Sequence, residues 1–194
     1  LQKYDMSCVH YAHAGSGELH LRPILNLKTQ EGHRMFRVVA EEISRLVKKY
    51  KGSLSGEHGD GRLRGEFIKE QIGEKNFDLL KSIKRAWDPK GIFNPGKITD
   101  TPAMDTCLRY EAGQQDEEIK TYFNWDKNQG VLRSAELCNG SGDCRKSAAS
   151  GGTMCPSYMA TQNEKDTTRA RANILREILT HSDIANKFDS EEIK

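Results

Sequence analysis

Two histidines on either side of a short glycine turn constrain the fold of this chain more than any other feature. Residues 7–13 and 18–26 are both extended runs, and the turn Ala14-Gly15-Ser16-Gly17 joins them. The segment therefore predicts a β-hairpin. With a four-residue turn, His13 and His20 lie on one face of adjacent strands, where two imidazoles can bind one metal ion.

A glycine-rich loop, residues 53–64, carries a third candidate ligand. It contains Glu57 and His58 between glycines that permit close backbone approach and positive φ. Two histidines and one carboxylate, with coordination positions left open, form a common catalytic zinc or manganese set. Spacing alone is explained equally well by ordinary loop histidines.

The remaining periodicity predicts helices, so the fold class is α+β: an antiparallel sheet with helices packed on one side, then a mainly helical tail. Residues 31–51 carry apolar side chains at three- and four-residue steps, which predicts an amphipathic helix capped by Thr29 and closed by Gly52. A second helix covers residues 75–87 and stops at Asp88-Pro89. Asp166 is expected to cap a last amphipathic helix.

Composition excludes two classes of partner. A net charge of +2 argues against a nucleic-acid-binding surface, and no apolar run approaches the length of a membrane span. We expect a cytoplasmic protein, associated with a membrane only through a partner. The sequence opens at Leu1 without an initiator Met, and its last residues close no evident domain. We interpret both ends as cuts in a longer chain.

Three segments resemble one flavoprotein family. Residues 11–20 resemble the "YGHxGDGNLH" segment of the FAD-linked oxidase C-terminal domain, and residues 52–61 resemble its "GGxxSGEHGxG" loop. Residues 88–97 resemble its closing "DPxxxxNPGK". The three motifs occur in the family's order. The family includes D-lactate, D-2-hydroxyglutarate and glycolate dehydrogenases of the vanillyl-alcohol-oxidase superfamily.

The resemblance implies roles for the residues that match. His13, His20 and Glu57 would bind a divalent metal, zinc or manganese, that polarises the hydroxyl and carboxylate of a 2-hydroxy acid. His58 would take the hydroxyl proton as general base while a hydride passes to FAD. Asn94, in the closing motif, would contact the FAD.

The chain departs from the family pattern at three positions of the hairpin. Ser16 and Glu18 stand where relatives often have Asp and Asn, which alters the turn and the surroundings of the metal. Arg22 follows the second histidine by two residues and would clamp a substrate carboxylate, unless it lies on the solvent face of the strand. A clamp there favours a 2-hydroxy diacid, with lactate and glycolate left open.

A cysteine segment follows. Cys138, Cys144 and Cys155 lie in a stretch that resembles the "CNGxGxCRK…GxMCPSYxAT…TRGRAN" region of fused FAD and iron–sulfur oxidoreductases. The resemblance implies an iron–sulfur cluster of the 4Fe–4S type. Ser141 replaces a cysteine of the usual ferredoxin pattern, so a fourth ligand would come from elsewhere. Zinc is the competing metal, and three unrelated cysteines are the simplest alternative.

These inferences give a domain organisation and a function. Residues 1–98 would be part of the substrate and metal domain, 99–133 a connector, and 134–194 the start of a ferredoxin-like domain. Electrons would pass from a D-2-hydroxy acid to FAD, through the cluster, to a quinone or soluble carrier. The FAD would be bound mostly by an upstream domain, so the chain alone would have little activity. Unpaired sheet edges would favour self-association, with a homodimer among the options. The alternatives are a zinc-binding fragment without redox role and a regulatory domain that has lost its chemistry.

Overall fold

The chain consists of two compact units. The computed structural model describes residues 1–114, 116–152, 154–181 and 183–193. The units are Leu1–Gln114 and Gln115–Lys194. The first unit holds a two-stranded antiparallel sheet and three α-helices, and the described residues of the second hold three further α-helices. The predicted α+β class is therefore confirmed, whereas the domain boundaries at residues 98 and 133 stay predictions.

The predicted hairpin is present. Strands β1 (Cys8–His13) and β2 (Glu18–Pro23) pair in a register that sets Tyr11 opposite His20 and His13 opposite Glu18. A 3-10 turn, Ala14–Ser16, reverses the chain and ends at Gly17, whose φ of 69° suits a residue without Cβ. Because side chains alternate along a strand, one face of the hairpin carries both candidate histidines.

Helix α1 (Gln30–Lys49) begins at the predicted cap. The Thr29 hydroxyl accepts a hydrogen bond of 3.0 Å from the Gly32 N–H, which satisfies one of the unpaired donors of the first turn. At the other end, the Gly52 N–H donates to the Val47 carbonyl at 3.0 Å and closes the last turn. The left-handed residue is Lys51, with φ of 56°, and not the glycine that the sequence indicated.

Helices α2 (Ile68–Ile72) and α3 (Glu74–Trp87) follow the glycine-rich loop. The predicted stop of α3 at Asp88 is confirmed. The buried Asp88 carboxylate accepts hydrogen bonds of 2.9 Å from the backbone N–H groups of Ile92 and Phe93. It also forms an ion pair with Lys84 at 2.6 Å. These bonds fix the turn that carries the "DPxxxxNPGK" motif.

An anchor segment, residues 98–106, runs back along the glycine-rich loop. The Ile98 N–H donates to the Gly61 carbonyl at 2.8 Å, and the Arg62 guanidinium donates to the Thr106 carbonyl at 2.6 Å. Arg62 therefore makes a structural contact with the anchor segment. The loop that carries Glu57 is held in place from this side.

Ion pairs attach the same segment to α1. Arg37 donates from Nε and Nη2 to the two oxygens of Asp105, both at 2.6 Å, and reaches Glu66 at 3.2 Å. Glu66 in turn accepts a hydrogen bond of 3.0 Å from the Met104 N–H. The Met104 side chain is almost fully buried, so this part of the predicted connector packs into the first unit.

The second unit is mainly helical, as predicted. It contains α4 (Val131–Glu136), α5 (Pro156–Thr161) and α6 (Thr168–His181). Helices α4 and α6 pack together, and their buried residues form a small apolar cluster with two partly buried side chains: Val131, Leu132, Leu179, Ile119 and Trp125. Within the described ranges, no helix has both the length and the apolar character needed to cross a bilayer.

The predicted cap of the last helix was wrong by one residue. Asp166 ends a 3-10 turn, Glu164–Asp166, and the capping side chain is the buried Thr167. Its hydroxyl accepts a hydrogen bond of 3.0 Å from the Ala170 N–H and donates to the Glu164 carbonyl at 2.8 Å. A threonine hydroxyl both donates and accepts, which lets it join the turn to the helix.

Candidate metal centre

The hairpin and the glycine-rich loop bring the three predicted metal ligands together. Glu57 Oε1 lies 3.6 Å from His13 Nε2 and 3.4 Å from His20 Nε2. The two imidazole rings meet edge to face, with centroids 5.0 Å apart. Residues far apart in sequence therefore present two nitrogen atoms and one carboxylate oxygen to a common point.

Glu18 is a fourth member of this group, and the sequence motifs did not indicate it as a ligand. Its Oε1 lies 3.5 Å from His20 Nε2. One ligand atom from each of His13, Glu18, His20 and Glu57 lies within 4.8 Å of the others. The available signal was strand alternation, because Glu18 and His20 are two residues apart and share a face.

The geometry of the group fits a divalent metal ion. His20 Nε2 is fully shielded and has no hydrogen-bond partner among the described residues, which is costly for a buried nitrogen. The separations of 3.4–3.6 Å are longer than good hydrogen bonds. Ligand atoms about 2.0–2.2 Å from one metal ion are separated by roughly 2.8–4.4 Å across tetrahedral and octahedral coordination. The three measured separations fall inside this range, as a shared metal ion would require.

His58 lies at the edge of the same group. Its Nε2 is 3.1 Å from Glu57 Oε1, and its ring centroid is 6.3 Å from that of His20. The His58 side chain is 72% exposed, against 16% for His20. His58 therefore remains accessible to a molecule that enters the site, whereas His20 is enclosed.

Arg22 projects from the same face of the hairpin as His20. Its guanidinium lies 4.9 Å above the Tyr11 ring, and that ring stacks on His20 at 4.6 Å with an interplanar angle of 16°. The exposed Arg22 side chain is thus linked to His20 of the metal group through Tyr11, by a cation–π contact and a ring stack. A side chain on the opposite face of the hairpin could not reach this group.

Asn94 lies in the turn after α3 and outside the metal group. It is exposed, and its φ of 46° places it in the left-handed region. The neighbouring Phe93 is 67% exposed. These two residues therefore form part of an open surface.

The three predicted cluster ligands do not form such a group. Cys144 and Cys155 are buried, and Cys138 is half-buried. In the part of the chain that the structure describes, the histidine–glutamate group is the one set of three or more potential ligands close enough to hold a metal ion. The iron–sulfur assignment therefore stays a prediction.

The surroundings shift the pKa of two acidic groups near these motifs. Burial raises the pKa of Asp60 in the glycine-rich loop, an effect that Arg64 partly offsets. The Cys155 thiol donates to the Asp166 carbonyl at 3.6 Å. Its pKa is lowered, chiefly by the backbone N–H of Tyr158 and further by that of Thr168. Such backbone donors stabilise a thiolate, the form that binds metals.

Comparison with known proteins identifies the family of the first unit. The model for the C-terminal domain of FAD linked oxidases matches residues 1–98, half of the chain. The chain belongs to this family. The FAD-linked oxidase match contains the hairpin, the glycine-rich loop and the turn with Asn94, and therefore the whole histidine–glutamate group.

Curated relatives of the FAD-linked oxidase chain act on small hydroxy acids, according to their names. D-2-hydroxyglutarate dehydrogenase of Pseudomonas putida is 33% identical over 194 residues, with 96% of this chain and 18% of that protein covered. The enzyme of the same name from Escherichia coli is 32% identical over 183 residues, covering 92% and 17%. D-lactate dehydrogenase of Archaeoglobus fulgidus is 33% identical over 97 residues, covering 50% and 21%.

The extent of these matches differs. The chain spans less than a fifth of the length of the two D-2-hydroxyglutarate dehydrogenases, but the similarity covers nearly all of its own residues and hence both units. The similarity to the D-lactate dehydrogenase covers half of the chain. No solved structure matches the chain.

Proposed function

We propose that this chain forms the metal and substrate part of an FAD-dependent dehydrogenase that oxidises a D-2-hydroxy acid to the 2-oxo acid. The observation that carries the proposal is the convergence of His13, His20 and Glu57, with His58 and Arg22 beside them. The family match and the names of the relatives support the same reaction.

The metal has a defined place in this proposal. His13, His20 and Glu57 would hold zinc or manganese, and the enclosed His20 nitrogen supports that assignment. When bound, the metal supplies a Lewis acid for the hydroxyl and carboxylate of the substrate. The protein contributes a group of ligands whose position is fixed by the hairpin and by the anchor segment.

His58 is proposed to hold the proton that leaves the substrate hydroxyl. Its side chain is exposed on the open side of the group, where a substrate can approach it. The Glu57 carboxylate, 3.1 Å from His58 Nε2, stabilises the positive charge that the imidazole acquires when it takes up a proton. The same carboxylate orients the ring.

Arg22 is proposed to bind a carboxylate of the substrate. Arg22 and His20 are two residues apart on one strand face, which separates their Cα atoms by about 7 Å. This separation suits a substrate with one carboxylate at the metal and another two methylene groups away. D-2-hydroxyglutarate is therefore the first candidate, ahead of D-lactate and glycolate.

The proposal includes a path for the electrons that leave the substrate. FAD would accept the hydride. Residues outside this chain would bind most of the FAD, and Asn94 would contact its edge. Cys138, Cys144 and Cys155 would hold an iron–sulfur cluster that passes electrons to a quinone or a soluble carrier. The burial of Cys155 and the lowered pKa of its thiol, caused chiefly by the backbone N–H of Tyr158, support a thiolate site.

The test measures turnover of 2-hydroxy acids by the FAD-loaded holoenzyme with a dye acceptor. His58→Ala is expected to lower kcat by roughly 100- to 10,000-fold, since general base catalysis contributes about this factor. His10→Ala is the matched control, because His10 pairs with Leu21 on the opposite face of the hairpin, and it should leave kcat within twofold.

Two results would count against the proposal. Equal kcat values for the His58 and His10 variants would remove His58 from the reaction. The wild-type protein would instead be a metal-binding protein without redox role if three results coincided. It would contain zinc at both sites, lack iron and sulfide after anaerobic reconstitution, and oxidise no 2-hydroxy acid.

A further inference from the structure

Glu18 lies within the metal group and is largely shielded from solvent. It opens β2 directly opposite His13 and lies two residues before His20. Its side chain is 15% exposed, whereas that of Glu57 is 46% exposed. The carboxylate that the sequence analysis left unassigned is thus the more enclosed of the two in the group.

No lysine or arginine in the described residues pairs with Glu18. The ion-pair contact of its carboxylate is with His20, at 3.5 Å. Glu57 approaches the same imidazole nitrogen at 3.4 Å. Two carboxylates that converge on one site repel each other, and enclosing one of them without a cation is unfavourable. A divalent cation between them would remove both penalties.

The glycine-rich loop is shaped to admit the Glu18 side chain. A Cβ on Gly56 would lie 2.3 Å from Cδ and 2.3 Å from Oε1 of Glu18. Such distances are far inside van der Waals contact, so the carboxylate packs directly against the backbone of the residue before Glu57. Because of this close approach, a Cβ at position 56 would force the Glu18 carboxylate to move.

We propose that Glu18 is a fourth protein ligand and that the site selects manganese over zinc. This inference rests on the proposed function, because it takes the histidine–glutamate group as the metal site. Four protein ligands would close a tetrahedral zinc site and leave no position for substrate. Manganese prefers octahedral coordination and carboxylate ligands, so two positions would stay open. The two carboxylates would also balance the charge of a divalent ion.

Metal titration of the purified chain tests the inference without any activity measurement. The chain is stripped with a chelator, free Mn²⁺ is followed by its electron paramagnetic resonance signal, and Zn²⁺ binding is measured by calorimetry. We expect one Mn²⁺ per wild-type chain. Glu18→Gln keeps the shape of the side chain but removes its charge. Loss of a residue that only supports a ligand weakens metal binding by roughly 10- to 100-fold, so loss of a direct ligand should weaken Mn²⁺ binding by more than this. Zn²⁺ binding should weaken less than Mn²⁺ binding.

Three further variants separate the possible outcomes. Gly56→Ala retains Glu18 but displaces its carboxylate, so it should weaken Mn²⁺ binding in the same direction. Glu57→Gln should abolish binding of both metals. Glu31→Gln, which removes an exposed carboxylate from α1, should bind both metals as the wild type does.

The results distinguish failure of this inference from failure of the proposed function. If Glu57→Gln loses both metals and Glu18→Gln binds Mn²⁺ like the wild type, Glu18 is not a ligand but the proposed metal site stands. If the wild type binds neither metal, or if Glu57→Gln binds both unchanged, the group is not the metal site and both proposals fail. A Glu18→Gln variant that loses Zn²⁺ and Mn²⁺ equally would overturn the selectivity.

Discussion

Asp105→Asn is expected to destabilise the first unit by about 2 kcal/mol at neutral pH. Arg37 donates to both oxygens of Asp105 at 2.6 Å, a bidentate pair that joins α1 to the anchor segment. The Asp105 side chain is 24% exposed, so solvent screens this pair only in part. The substitution removes the negative charge and leaves a guanidinium without its principal partner.

The magnitude follows from the pKa of Asp105. The hydrogen bond from Arg37 lowers this pKa from the ordinary 3.8 to about 2. Since the folded pKa is depressed, the stabilisation is fully present above pH 3.8 and is lost as the pH falls through about 2. A shift of this size corresponds to about 2 kcal/mol at pH 7 and about 1 kcal/mol at pH 3.

Urea unfolding of wild type and variant at pH 7 and pH 3 measures the effect. The difference in free energy of unfolding should narrow by about half between the two pH values. Glu31→Gln breaks an exposed pair with Arg34 and should change stability by less than about 0.5 kcal/mol at either pH. If Asp105→Asn lowers the free energy of unfolding by less than about 0.5 kcal/mol at pH 7, or by the same amount at both pH values, the ion pair does not stabilise the unit as described.

Two further outcomes concern the substrate and the start of α1. Arg22→Met in the holoenzyme should lower kcat/KM for D-2-hydroxyglutarate by roughly 10- to 100-fold and leave kcat/KM for D-lactate nearly unchanged. Steady-state kinetics with both acids measures this, with Arg85→Met on α3 as the control. Equal losses for the two acids would contradict the assignment of Arg22. Gly32→Ala should lower the free energy of unfolding by roughly 1–3 kcal/mol, because the new Cβ would lie 1.9 Å from the Asn26 carbonyl oxygen; an unchanged thermal midpoint would show that the first turn relaxes freely.

Local patterns predicted the elements that depend on local interactions. The turn residues and strand alternation predicted the hairpin, and the threonine hydroxyl and apolar spacing predicted the start of α1. Errors occurred at chain reversals, where neighbouring residues compete for one role. Thr167 caps α6 in place of Asp166 because its hydroxyl also donates to the preceding turn.

The site was predictable only in part. Strand alternation and the family motifs named His13, His20 and Glu57, which the structure brings together. They did not name Glu18: strand alternation places it on the face of His20, but its contact with Gly56 joins residues distant in sequence. Cysteine spacing likewise does not determine whether Cys138, Cys144 and Cys155 reach a common point.

The anchor segment has a practical consequence for recombining this region with other flavoproteins. The family match ends at residue 98, and a chimera designed from sequence similarity would be joined there. Such a junction would separate the glycine-rich loop from the hydrogen bond of Arg62 to Thr106, and α1 from Asp105. A junction after Gln114, where the first compact unit ends, would transfer the loop together with its support.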